Sequence, residues 1–153
     1  MRYHNITKDD MLNGDGLRVV LWLSGCSHNC KGCQNPITHN PNLGLIFDEK
    51  AKEEIYQELE KDYISGITFS GGDPLFLSNR KDVEELMKNI KKDFPNKTIW
   101  LYTGYKFEEI KDLSLLKYVD VLCDGKFEID KFNPNIHWVG SSNQKVIYLT
   151  ENK

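Results

Sequence analysis

The sequence predicts an α/β fold, a single domain over residues 1–153 built as an open, partial (βα) barrel with a mostly parallel sheet. Three observations carry this. Strand-type runs alternate with helical repeats, the pattern of parallel strands joined by right-handed crossovers. The strand runs at 17–23, 66–70, 98–102, 119–124 and 145–149 are too few to close an eight-stranded barrel, so the sheet is expected to curve and stay open. The glycine-rich or charged motifs at 24–35, 70–74, 103–105 and 124–127 each follow a strand. In parallel α/β folds ligands sit at the carboxyl ends of the strands, so these four motifs should face one mouth.

Residues 1–16 are polar and end in the turn signal Asn13-Gly14-Asp15-Gly16. The first strand, 17–23, runs into a cysteine loop and then an aperiodic Pro/Asn-rich stretch from Pro36 to Gly44. Long loops in compact domains are usually functional. Asp48 can cap a helix running to about Tyr63, with Ala51, Ile55, Leu59 and Tyr63 on one stripe. After the strand at 66–70 and the break at Gly71-Gly72-Asp73-Pro74, a helix starts at Ser78 or Asn79. Its Val83, Leu86, Met87 and Ile90 follow i, i+3, i+4, i+7 spacing. Thr98–Tyr102 reads as a strand closed by Thr103-Gly104-Tyr105, followed by a helix with Phe107, Ile110 and Leu113. The strand at 119–124 ends in Gly125-Lys126-Phe127. A polar loop over 128–137, a turn at 140–144 and a last strand at 145–149 complete the chain.

Composition narrows the function classes. The chain is 39% hydrophobic and 28% charged with net charge −3, so no broad basic face for nucleic acid is expected. No apolar run approaches a membrane span, and Met1-Arg2-Tyr3-His4-Asn5 lacks the apolar core of a signal peptide. The expected location is the cytoplasm, where thiols stay reduced and clustered cysteines read as metal-binding or catalytic.

Three of the four cysteines, Cys26, Cys30 and Cys33, fall within eight residues in the spacing C-x3-C-x2-C. One loop can then aim three sulfurs at one point, and soft thiolates favour zinc or iron–sulfur clusters. Three ligands on a four-iron cubane leave one iron open; a structural zinc knuckle completed by His28 or His39 is the other reading. A Cys30–Cys33 disulfide would leave Cys26 unexplained. Cys123 reads as a core cysteine on the fourth strand among Val119 and Val121, and Trp22 and Trp100 read as core.

The cysteine spacing after a strand resembles the cluster loop of radical S-adenosylmethionine (SAM) enzymes. Asn13-Gly14-Asp15-Gly16-Leu17-Arg18 and Cys33-Gln34-Asn35-Pro36 narrow the resemblance to the activases of glycyl-radical enzymes. Gly32, where the superfamily is often aromatic, points to the small activases of anaerobic ribonucleotide reductase. The resemblance implies Cys26, Cys30 and Cys33 as ligands of a [4Fe-4S] cluster whose open iron is chelated by SAM. Reductive cleavage of SAM would then place a glycyl radical on the large reductase subunit. It also implies a one-electron donor such as a flavodoxin. Gly71-Gly72-Asp73 resembles the motif whose backbone meets the SAM amine, and Asp124-Gly125-Lys126 resembles a D-x-K element that contacts SAM. Thr103 is placed at the same site. Asn13 to Gly16 and Arg18 are expected near the cluster and the partner's docking surface. Asn143 and Gln144 are candidates for adenine edges or the partner. The alternatives are a pyruvate formate-lyase-type activase, another small radical SAM enzyme, or a zinc-binding adaptor without catalysis.

Overall fold

The computed structural model describes residues 1–26 and 40–149. Seven strands form one open mixed sheet in the order β3-β1-β2-β4-β5-β6-β7. They are β1 (Arg2–Asp10), β2 (Leu17–Leu23), β3 (Leu45–Ile46), β4 (Ile64–Gly71), β5 (Thr98–Tyr102), β6 (Val121–Asp124) and β7 (Lys145–Tyr148). The four central strands, β2, β4, β5 and β6, run parallel. The outer pairs β1–β2, β1–β3 and β6–β7 are antiparallel, so the sheet is parallel only in its middle.

The antiparallel flank at the start of the chain is a correction. Residues 1–16 carry strand β1, not only a polar lead-in, and β1 pairs Tyr3 with Leu23 and Asp10 with Arg18. Its residues are half-buried or exposed, so it lacks the apolar run that marks the central strands. The two-residue β3 was also invisible in the pattern.

Helices α1 (Glu49–Leu59), α2 (Arg80–Asp93) and the single turn α3 (Phe107–Ile110) complete the regular structure. The Asp48 side chain caps α1 by accepting from the Ala51 amide at 3.0 Å. That helix stops at Leu59, and Tyr63 lies beyond it and is exposed, so the stripe is one residue shorter than expected. The helix expected through Leu113 is only the turn Phe107–Ile110, followed by a 3-10 segment over Ser114–Tyr118.

Alternation divides the sheet into two faces. Val19, Leu21, Leu23, Ile67, Phe69, Ile99, Leu101 and Leu122 pack against Ile55 and Leu59 of α1 and Val83, Leu86, Met87 and Ile90 of α2. The residues between them point the other way. There Trp100, Val121 and Cys123 gather with Tyr102, Trp138, Val139 and Val146. Cys123 therefore belongs to this second face, apart from Val119, which sits in the main core.

Arg18 pins the amino-terminal ends of the parallel strands. It is fully buried, and its guanidinium donates to Thr68 Oγ1, Asp15 O, Thr98 Oγ1, Ile67 O and Thr98 O at 2.7–2.9 Å. Those five bonds use its five donors. Burial lowers its pKa to about 10, and it keeps its charge at neutral pH. The Trp100 ring lies 5.6 Å from the guanidinium carbon. Arg18 thus stands at the opposite end of β2 from the cysteine loop, not beside it. Arg18→Met keeps bulk but strands the Thr68 and Thr98 oxygens. It should lower the unfolding free energy by roughly 3 kcal/mol, measured by urea denaturation; a midpoint equal to wild type would mean the network is dispensable.

Candidate functional site

β2 leaves the sheet at Leu23, and Ser24, Gly25 and Cys26 begin the cysteine loop. Its base is tied down from several directions. The Ser24 amide donates to Arg2 O at 3.0 Å and the Ser24 hydroxyl to Leu43 O at 2.8 Å. Asn79 Nδ2 donates to Ser24 O at 2.8 Å. Gly25 adopts φ +105°, and a Cβ there would press on the Phe76 ring at 2.7 Å, so glycine is required by both backbone and neighbour. Cys26 is half-buried; Cys30 and Cys33 lie outside the described residues, as do His28 and His39.

The Gly71-Gly72-Asp73 motif supports this base. Gly71 pairs with Leu23 at φ +107°, and any side chain there would collide with the Leu23 backbone. The Gly72 amide donates to Leu23 O at 2.9 Å and the Asp73 amide to Gly25 O at 2.7 Å. The Asp73 side chain is 1% exposed. Its carboxylate accepts from the Leu75 amide at 2.9 Å, from Thr103 Oγ1 at 2.9 and 3.0 Å, and from the Gly104 amide at 2.9 Å. Asp73 and Thr103, named separately from the sequence, are hydrogen-bonded to each other and join the exits of β4 and β5.

The exit of β6 behaves differently. Asp124 is buried and its carboxylate accepts from the Phe107 amide at 2.8 Å, which caps α3. Lys126 is exposed, and its carbonyl accepts from Asn143 Nδ2 at 2.8 Å. Gln144 bridges the loop: Nε2 donates to Gly125 O at 2.9 Å, and Oε1 accepts from the Gly140 and Ser141 amides at 3.0 Å. Asn143 Oδ1 is buried with no hydrogen-bond partner among the described residues.

These exits open on a cavity of about 600 Å³ on the helix-free face. Cys26, Ser70, Gly71, Gly72, Thr103 and Gly104 line it, together with the larger Trp22, Tyr102, Cys123, Phe127 and Trp138. Asp73, Asp124 and Lys126 are not among its lining residues, whereas Gly125 is. The aromatic wall was missed in the sequence; the alternation of Trp22, Trp100 and Tyr102 against core residues was the signal that could have found it. Burial pushes the Cys123 thiol up to about 12, and burial followed by the adjoining Cys123 raises the Tyr102 phenol well above its ordinary range.

The volume fits a nucleoside-sized ligand. The donor set fits a cluster at one end, with a thiol of the C-x3-C-x2-C loop on the cavity wall next to backbone-lined glycines. Among the described residues no three His, Cys, Asp or Glu side chains come together as a metal site. No helix among them is long and apolar enough to cross a membrane.

Asp73→Asn replaces an acceptor with a donor facing the Thr103 and Gly104 donors. It should lower stability by roughly 2 kcal/mol in thermal unfolding and reduce the iron retained per chain. Unchanged melting would show that the carboxylate serves a ligand instead of the loops. Cys123 at pH 8 should alkylate about a thousandfold more slowly in the native protein than in urea, from its thiolate fraction alone. Equal rates would show an exposed thiolate.

The chain matches the family model for the 4Fe-4S single cluster domain over residues 12–147. It is 47% identical over 146 residues to the anaerobic ribonucleoside-triphosphate reductase-activating protein of Enterobacteria phage T4, covering 95% of this chain and 93% of that one. The proteins of the same name from Pasteurella multocida (strain Pm70) and Escherichia coli (strain K12) are each 40% identical, covering 99% and 97% of this chain and 99% of theirs. With a 4Fe-4S single cluster domain and identity of this extent, the chain belongs to the anaerobic ribonucleoside-triphosphate reductase-activating protein family.

Proposed function

We propose that this chain is a radical SAM activase that places a glycyl radical on the large subunit of anaerobic ribonucleotide reductase, with residues 1–153 acting as one activase domain in the cytoplasm. The observation that carries this reading is Cys26. The first cysteine of a C-x3-C-x2-C loop lines a cavity shared with the exits of β4 and β5. The names of the relatives support the same partner, and the 4Fe-4S match favours iron–sulfur over the zinc knuckle. The sheet surface bearing Trp22, Tyr102 and Cys123 would be the inner wall of a partial barrel.

Cys26, Cys30 and Cys33 would hold the [4Fe-4S] cluster and leave one iron open. When bound and reduced by a donor such as a flavodoxin, the cluster supplies the electron that cleaves SAM into methionine and a 5′-deoxyadenosyl radical. The chain's own part is to bind, orient and exclude water. Backbone carbonyls along Ser70, Gly71 and Gly72 would face the ammonium of a zwitterionic amino acid, the Gly72 amide being taken by Leu23 O. Thr103 and Gly104 continue that edge, held by Asp73. Asp124 and Lys126 flank Gly125, which lines the cavity, and Asp124 already accepts from the Phe107 amide through Oδ2. Trp22, Phe127 and Trp138 shield the reacting region from solvent.

Anaerobic reconstitution with iron and sulfide should yield a brown protein absorbing near ~400 nm. With SAM, reductant and the large reductase subunit it should give 5′-deoxyadenosine and an organic-radical doublet by EPR. Cys26→Ala should abolish the cluster and the doublet, while Cys123→Ser should keep the cluster. A colourless zinc protein, or a cluster lost only with Cys123, would refute the reading.

A further inference from the structure

The segment between β6 and β7 is tied almost entirely to itself. Among the described residues, every hydrogen bond made by residues 128–143 closes within residues 125–144. At its neck, Asn143 Nδ2 donates to Lys126 O at 2.8 Å and Gln144 Nε2 to Gly125 O at 2.9 Å. Farther out, the Asn133 amide donates to Gly140 O at 3.0 Å and the Ser142 amide to Lys131 O at 2.9 Å. The buried Ser141 hydroxyl accepts from the Glu128 amide at 3.2 Å and donates to Gln144 Oε1 at 3.1 Å. A loop with adjoining ends and its own internal bonds moves as one body when it moves.

The hold of this flap on the rest of the protein is apolar. Trp138 and Val139 pack with Trp100, Val121 and Cys123, and the Trp138 ring meets Trp100 edge-on at 5.5 Å. Trp138 is also the strained point. Its φ is +75°, a real outlier for a bulky side chain, and its ring stacks on His137 at 3.7 Å. The contact that closes the flap is thus made against backbone strain, and the shut state is only weakly favoured. Ile136, Trp138, Val139 and Gly140 line the cavity, so lifting the flap removes one of its walls. A ligand that touches those residues favours the shut state.

Taking the identity of the ligand from the activase reading, we propose that residues 128–143 form a lid, hinged at Gly125–Lys126 and Asn143–Gln144 and latched by Trp138, which lifts as a unit to admit and release the nucleoside-bearing cofactor and shuts when that cofactor fills the cavity. The internal bonds keep the lid folded while it is open, and no polar group of the sheet is stranded by its leaving. Trp138 is a positioning residue: it sets how long the cofactor stays.

The test uses the anaerobically reconstituted, unreduced protein carrying 5-fluorotryptophan at its three tryptophans, with and without SAM. By 19F relaxation dispersion, the Trp138 signal should show millisecond exchange with a minor open state, and SAM should suppress it. Hydrogen exchange at the Asn133 and Ser142 amides should stay slower than that opening, because the lid lifts without unfolding. Trp138→Ala should release SAM about tenfold faster in a displacement experiment, and Trp138→Phe, which keeps a ring, should restore most of the difference. A single sharp Trp138 signal, exchange undiminished by bound SAM, amide exchange as fast as the opening, or an unchanged release rate in Trp138→Ala overturns the lid. SAM binding itself is scored by equilibrium dialysis on the same sample. Its absence removes the activase reading, and the hinge is then decided by the ligand-free dispersion and amide exchange; binding with an indifferent Trp138 removes only this inference.

Discussion

A buried carboxylate holds the functional end of this fold together. Asp73 is buried, and its side chain takes hydrogen bonds from the Leu75 and Gly104 amides and the Thr103 hydroxyl. Its own amide holds Gly25 O, so one residue fastens the exits of β2, β4 and β5. Burying an anion is costly unless every lone pair finds a donor, and charge-assisted bonds to amides and hydroxyls are the strong kind. This clasp joins the bonds from Ser24, Gly72 and Asn79 that fix where the cysteine loop starts.

The other end of the parallel strands is held by the opposite charge in the same manner. Arg18 meets carbonyl and hydroxyl oxygens of β4, β5 and the turn before β2. Hydrogen-bonded ions fasten both ends, and the helix-free face between them carries the aromatic side chains Trp22, Trp100 and Tyr102. That face forms the cavity, while the helix side carries the apolar core.

Much of this was legible in the order of residues. The strand at Thr98–Tyr102 and the α2 stripe of Val83, Leu86, Met87 and Ile90 announce themselves by period alone. The four motifs after strands were also readable, because the parallel middle of the sheet aligns their exits. β1 was not: a flanking strand with Tyr3 and Ile6 half-buried and the rest polar or exposed has no contrast for pattern to detect. Nor was the role of Asp73, whose partner Thr103 is thirty residues away and reaches it only through the β4–β5 crossover. Residues read as ligand contacts can equally be the fasteners of their own loops, and only geometry separates the two. Arg18 was placed near the cluster by the activase resemblance, although the length of β2 lies between it and the cysteine loop.

Cys123 sits a short way along the same wall from Cys26, and its sulfur keeps its proton up to about pH 12. While iron and sulfide are being loaded, every available thiolate competes to scavenge them. A sulfur that stays protonated takes no part in that competition, so Cys123 diverts no iron from other thiols although it stands on the wall of the same chamber.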